Sequence, residues 1–145
     1  MHNTLAASDY GLLDEKTYEP RADYWAAILW RMLMGTTVLN AGSVSQKDAY
    51  LFAQCTRNHP GAVTVLAINA GNSPLKISLP AGEAFALSAA GTDSKTVMLN
   101  GKTLSVAANG DLPPMTGRKM GPAEIAVAPK TIVFYVADAR NDGCK

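Results

Sequence analysis

Residues 18–35 constrain the fold more than any other stretch of the chain. Pro20 suits a first helical position, where its missing N–H would go unpaired in any residue and its fixed φ is already helical. Gly35 can supply a left-handed C-terminal residue, so a helix is predicted between them. Trp25, Ile28, Leu29 and Met32 recur at helical spacing, while Tyr24, Trp30, Leu33 and Met34 spread apolar surface over the remaining circumference. Such a helix needs neighbours on most of its sides. Ahead of it, residues 3–7 read as a short strand and residues 8–17 as a polar loop. One strand, loop and helix is a single unit of an α/β layer and cannot bury its own faces, so it must dock on something.

After Gly35 the period changes from helical to alternating. Strands are expected at residues 36–39, 49–54 (with Tyr50 and Phe52 on one face), 62–69 and 75–79. Others are expected at 84–88, 96–99, 103–106, 124–128 and 131–137. The turns between them carry their own chemistry. Asn58-His-Pro-Gly61 and Ala70-Gly-Asn-Ser-Pro74 are turns by composition, and Asn100-Gly101 is the strongest hairpin signal present. Residues 111–121 read as an ordered crossing loop. The last strand is apolar on both faces and should be central. Short strands spaced by turns and unbroken by helix predict an antiparallel β-sandwich, preceded by the strand-loop-helix unit.

The chain has 145 residues, 48% hydrophobic and 17% charged, enough for one globular domain or a small domain with part of another. A net charge of +1 gives no long-range field, so neither nucleic acid nor an anionic membrane surface is implied as a partner. Arg118-Lys119, the densest basic spot, reads as a solvated loop. No apolar run approaches the about 20 residues that span a bilayer, and the first residues show no basic region followed by an apolar core.

Candidate catalytic groups are sparse. His2 and His59 sit at the chain start and in a turn, where exposed structural roles are expected. Asp9, Asp14, Glu15 and Glu19 cluster in the first loop and could supply an acid/base pair, but a solvent-facing role is the better reading, with Glu19 and Asp23 near a helix N-terminus. No nucleotide, zinc or calcium motif is present, so no cofactor and no metal site is expected. Cys55 and Cys144 have no ligand spacing around them, and spacing leaves open whether they pair or stay two separate thiols. Tyr10 stands out in the first loop, just past a strand end where α/β layers hold ligands, against the alternative of packing under the helix.

The runs Ser8-Asp-Tyr-Gly-Leu-Leu-Asp-Glu15, Glu19-Pro-Arg-Ala-Asp-Tyr-Trp25 and Leu33-Met-Gly-Thr-Thr-Val-Leu39 resemble the C-terminal region of heparanase and, more closely, the plant heparanase-like proteins. The resemblance continues through Val97-Met-Leu-Asn-Gly-Lys-Thr-Leu104, Asp111-Leu-Pro-Pro114 and Ile132-Val-Phe-Tyr-Val136. It covers essentially the whole chain in order. These proteins are retaining endo-β-glucuronidase-type glycoside hydrolases of family 79.

The resemblance implies a (β/α)8 catalytic barrel followed by a C-terminal β-sandwich. On that basis residues 1–39 are the last strand, loop and helix of the barrel and residues 40–145 the sandwich domain. It also implies that the acid/base and nucleophile glutamates lie upstream of Met1. None of Glu15, Glu19, Glu83 or Glu124 matches them. Tyr10 matches a family tyrosine that lines the substrate cleft and hydrogen-bonds sugar, although the preceding Ala6-Ala-Ser-Asp9 departs from the heparanase pattern. Cys55 and Cys144 match cysteines that form a disulfide within the β-domain, which implies an oxidising compartment: secreted, extracellular or vacuolar-lysosomal, with membrane association possible in the family.

The expected function is that of the C-terminal part of a retaining glycosidase acting on β-glucuronide-containing glycans or glucuronides. The expected partners are the glycan, reached through the barrel, and the upstream part of the same polypeptide. By itself the chain is expected to be inactive. The alternative is a freestanding, non-catalytic β-sandwich that binds a glycan or a protein.

Overall fold

A computed structural model describes residues 5–6, 9–91 and 94–145. Among the described residues are one helix, α1 (Ala22–Leu33), and ten strands: β1 (Met34–Leu39), β2 (Ala49–Thr56), β3 (Val63–Asn69), β4 (Leu75–Leu79), β5 (Gly82–Ala89), β6 (Val97–Leu99), β7 (Lys102–Thr103), β8 (Arg118–Met120), β9 (Ala123–Val127) and β10 (Thr131–Ala137). All pairings are antiparallel. The large sheet runs β1-β2-β3-β10-β5-β6-β7, with β8 also on β5, and a two-stranded sheet pairs β4 with β9. The chain is therefore mainly β, as its alternating pattern requires.

The apolar period of β10 explains the layering. Phe134 packs on one face of the large sheet with Leu66, Phe85 and Leu87, beneath Trp25, Leu29 and Leu33 of α1. Val133, Tyr135 and Ala137 point to the other face, where Leu75, Ile77, Ile125 and Val127 of the small sheet cover them. A strand apolar on both sides belongs between two cores, and β10 lies between β3 and β5.

The helix differs from its sequence expectation at both ends. It begins at Ala22, because Pro20 is extended and bridges Leu13. Backbone bonds from Asp14 N to Glu19 O and from Arg21 N to Leu12 O, both 2.9 Å, close the preceding loop on itself. Its end needs no left-handed glycine, since Met34 continues as a strand with φ −85° and ψ 121°. The Leu33 carbonyl instead accepts from Arg57 N at 2.9 Å and from Thr64 Oγ1 at 3.1 Å. Thr64 having donated there, the 2.9 Å Thr56–Thr64 bond takes its proton from Thr56. Within the described residues α1 buries one stripe: Leu29 is 0% exposed, while Trp30 and Met32 are each 43% exposed.

Gly35 lies within β1, where an added Cβ would stand 2.5 Å from the Cys55 carbonyl oxygen. Close approach of β2, not a positive φ, therefore requires glycine there. β1 pairs antiparallel with β2, so residues 34–39 form an edge of the large sheet. The expected crossing loop at 111–121 contains β8, and in the expected 103–106 strand the pairing with β6 ends at Leu104, whose N donates to Val97 O at 2.8 Å and whose side chain enters the core. Of the expected strand at 3–7, residues 3, 4 and 7 lie outside the described residues, and residues 5–6 form a bend.

Two asparagine side chains complete the framework. Asn69, 1% exposed, donates from Nδ2 to Ser73 O and Val127 O at 2.9 Å each, and its Oδ1 accepts from Gly71 N at 3.1 Å. It thereby ties the large sheet to the small one. Asn100 occupies the gap on β5 between β6 and β8. Its Oδ1 accepts from Ala86 N at 3.0 Å, and its Nδ2 donates to Ala84 O at 3.0 Å and Thr116 O at 3.3 Å. Asn100 and Gly101 have φ of 49° and 81° and join β6 to β7 as a two-residue turn.

Candidate functional site: the loop before the helix

The loop entering α1 is built around Asp14. Its Oδ1 accepts from Lys16 N at 3.0 Å and Thr17 N at 3.1 Å, and its Oδ2 lies 3.8 Å from the Arg21 guanidinium. The two backbone donors, Thr17 first, hold the Asp14 carboxyl below its usual range. An aspartate tied to its own loop stays ionised at neutral pH and is a poor proton donor. Its chemistry here is that of a clamp. The sequence gives the carboxylate cluster, but that Asp14 turns inward on Lys16 and Thr17 shows only once the turn is built.

The loop forms one wall of a cleft of 1030 Å³. Asp9, Asp14, Glu19 and Asp23 line that wall with Trp25, and Lys95 and Leu104 stand opposite. Tyr10 follows Asp9 and is 62% exposed, so it does not pack under α1. Its ring is available at the edge of this loop, and Tyr10 itself is not among the cleft's lining residues.

The remaining candidates lie elsewhere. Cys55 and Cys144 are joined by a disulfide, with Cα atoms 5.2 Å apart. Both cysteines are buried, and Gly61 N donates to Cys144 O at 2.6 Å, fixing the C-terminal tail against the β2–β3 turn. His59 lines a second cleft at that end, and His2 is outside the described residues. Glu83 pairs with Lys119 at 3.2 Å and Glu124 with Lys76 at 3.1 Å. Among the described residues no group of three His, Cys, Asp or Glu side chains comes together as a metal site.

By fold, a solved family 30 subfamily 8 xylanase from Clostridium acetobutylicum resembles the chain with a TM-score of 0.56 at 20% identity, over 91% of this chain and 32% of that one. At that identity the likeness is one of fold, a mainly β chain of antiparallel sheets. The sequence comparisons are more specific. Baicalin-beta-D-glucuronidase of Scutellaria baicalensis is 35% identical over 90% of this chain and 27% of its own length. Hyaluronoglucuronidase of Hirudo nipponia is 32% identical over 100% and 33%, and heparanase-like protein 3 of Arabidopsis thaliana 30% identical over 90% and 31%. No family model matches the chain. The chain is a homologue of the heparanase-like glycoside hydrolases, matching their C-terminal region, and spans about a third or less of these relatives' length.

Proposed function

We propose that the chain is the C-terminal, non-catalytic part of a heparanase-like retaining glycosidase acting on β-glucuronides, and that Tyr10 is its contribution to sugar binding. The observation that carries this reading is the pairing of an exposed Tyr10 with a clamped loop that leads directly into α1. A fixed loop places a phenol reproducibly, and a phenol both stacks on and hydrogen-bonds a pyranose. In such an enzyme two carboxylates about 5–5.5 Å apart, supplied upstream, perform the double displacement.

On this reading residues 1–33 are the end of the barrel and residues 34–145 the sandwich, with the division moved to the α1–β1 junction. The exposed flanks of α1, with Trp30 and Met32, support an upstream part of the same polypeptide as the partner that covers them. The disulfide supports an oxidising location, secreted or vacuolar-lysosomal. No helix among the described residues is long and apolar enough to cross a membrane. No nucleic-acid partner is proposed.

The test has two arms. The pure 145-residue protein is expected to leave an aryl β-glucuronide unhydrolysed, and protein-dependent turnover would overturn the reading. In the longer enzyme, Tyr10→Ala is expected to lower kcat/KM about tenfold or more, the loss of one sugar hydrogen bond and its stacking. An unchanged value would remove Tyr10 from the site. A second reading, a freestanding glycan-binding sandwich, is favoured by Tyr50 and Phe52, exposed on one face of β2. It expects glycan binding that Tyr50→Ala abolishes in the chain alone.

A further inference from the structure

The chain contains the dipeptide Asn-Gly twice within eleven residues, and the fold treats the two copies differently. Asn100 has its carboxamide inside the sheet edge, with all three hydrogen bonds going to residues 14 or 16 positions away. Asn109 sits in the exposed 107–111 turn, where Nδ2 donates to Asp111 Oδ2 at 2.7 Å and Oδ1 accepts from Asp111 N at 3.1 Å. Both asparagines are followed by glycines at positive φ, Gly101 at 81° and Gly110 at 88°.

Asparagine before glycine is chemically labile, because glycine has no side chain to shield its backbone nitrogen. That nitrogen loses its proton and attacks the asparagine Cγ. The Cγ–Nδ2 bond breaks, ammonia leaves and a succinimide forms. Water then opens either ring carbonyl to give aspartate or isoaspartate, with no oxidant or reductant involved. The reaction needs Cγ to swing onto the following nitrogen. At Asn109 that costs the two bonds to Asp111 and the 2.9 Å bond that Gly110 N donates to Ala107 O, all of them local to one exposed turn. At Asn100 it requires the carboxamide to leave Ala84, Ala86 and Thr116 together, opening the β5 edge between β6 and β8.

We propose that Asn100–Gly101 is a deamidation site gated by the fold, silent in the native chain and reactive once the β6–β7 hairpin opens, whereas Asn109–Gly110 is the ungated site. The gate is also one-way. Aspartate at position 100 cannot donate to Ala84 O and Thr116 O and sets a carboxylate against those carbonyls. Isoaspartate lengthens the main chain inside a two-residue turn and destroys its match to the strand register. A hairpin that opens long enough to react does not close again as it was. Deamidation at position 109 instead adds one negative charge beside Asp111 on an exposed loop and leaves the sheet intact.

Trypsin cuts after Lys95, Lys102 and Arg118, which puts the two sites in separate peptides. The protein is incubated at mildly alkaline pH, folded and in concentrated urea, and each peptide is followed by mass and by isoaspartate content. Asn100 is expected to convert at least about tenfold more slowly than Asn109 in the folded protein, because reaction requires a sub-global opening. The two should convert at similar rates in urea. Equal native rates would overturn the proposal, as would a rate difference that persists in urea. Asn100→Asp is expected to lower Tm or prevent folding, while Asn109→Asp leaves Tm unchanged. An Asn100→Asp protein as stable as the parent would show that no gate exists.

Discussion

At the scale of single residues, the side chains that decide most are the small or polar ones. Gly35→Ala places a methyl 2.5 Å from a main-chain oxygen of the adjoining strand, where no side chain can rotate away. We expect a loss of about 1–3 kcal/mol, the usual cost of overpacking, read as a lower urea midpoint. An unchanged midpoint would mean that β1 moves freely off β2. Asp14 gives a prediction in pH. Its folded pKa lies below the ordinary value of 3.8, so its contribution is present above that value and is lost as pH falls through the lower folded one. The carboxyl resonance of Asp14 should titrate below the range of free aspartates, and Thr17→Pro, which removes the leading donor, should return it toward that range. Neither role was legible in the sequence, where Gly35 reads as a helix stop and Asp14 as one of several loop acids.

Among the elements, α1 shows how far a local reading reaches. Residues 22–33 form a helix, as their spacing requires, and the apolar residues beyond its buried stripe, Trp30 and Met32, stay exposed. In the fold only the Trp25, Leu29 and Leu33 stripe meets the sheet, because a flat β surface covers one side of a cylinder. Leu29→Ala, at a fully buried position between α1 and the sheet, should cost about 2–5 kcal/mol. A loss below that range, measured by thermal unfolding followed in the far ultraviolet, would show that α1 is loosely held. The strands were more legible than the helix ends. Alternation of apolar side chains placed β3, β4 and β10 within a residue of where they lie, whereas the three-residue β8, Arg118-Lys-Met120, has too little pattern to show and exists only because β5 offers it an edge.

Across the whole molecule, two cores lie on opposite faces of one sheet, Asn69 ties the two sheets together, and one covalent bond holds the C-terminal tail to β2. The disulfide joins residues 89 positions apart and pins the tail beside Gly61. Replacing Cys144 by serine should therefore cost about 2–4 kcal/mol, and reducing the wild-type protein should cost the same. A Cys144→Ser protein that melts where the oxidised parent does would show that the tail's packing alone holds it.

The periods and turns along the chain determined by themselves that it is mainly β, where its principal hairpins fall, that β10 is central, and, through the resemblance carried by residues 8–25 and 97–104, which family it is related to. Those are properties of near neighbours in sequence, and near neighbours set alternation and turn geometry. Tertiary structure alone decided that α1 runs into β1 without a glycine cap, that the Leu33 carbonyl is satisfied by Arg57 and Thr64, that Asn100 fills a gap in the sheet edge, and that Tyr10 is left exposed. Each depends on groups brought together from distant positions. A hydrogen bond or a close contact of that kind leaves no periodic trace in the residues that make it.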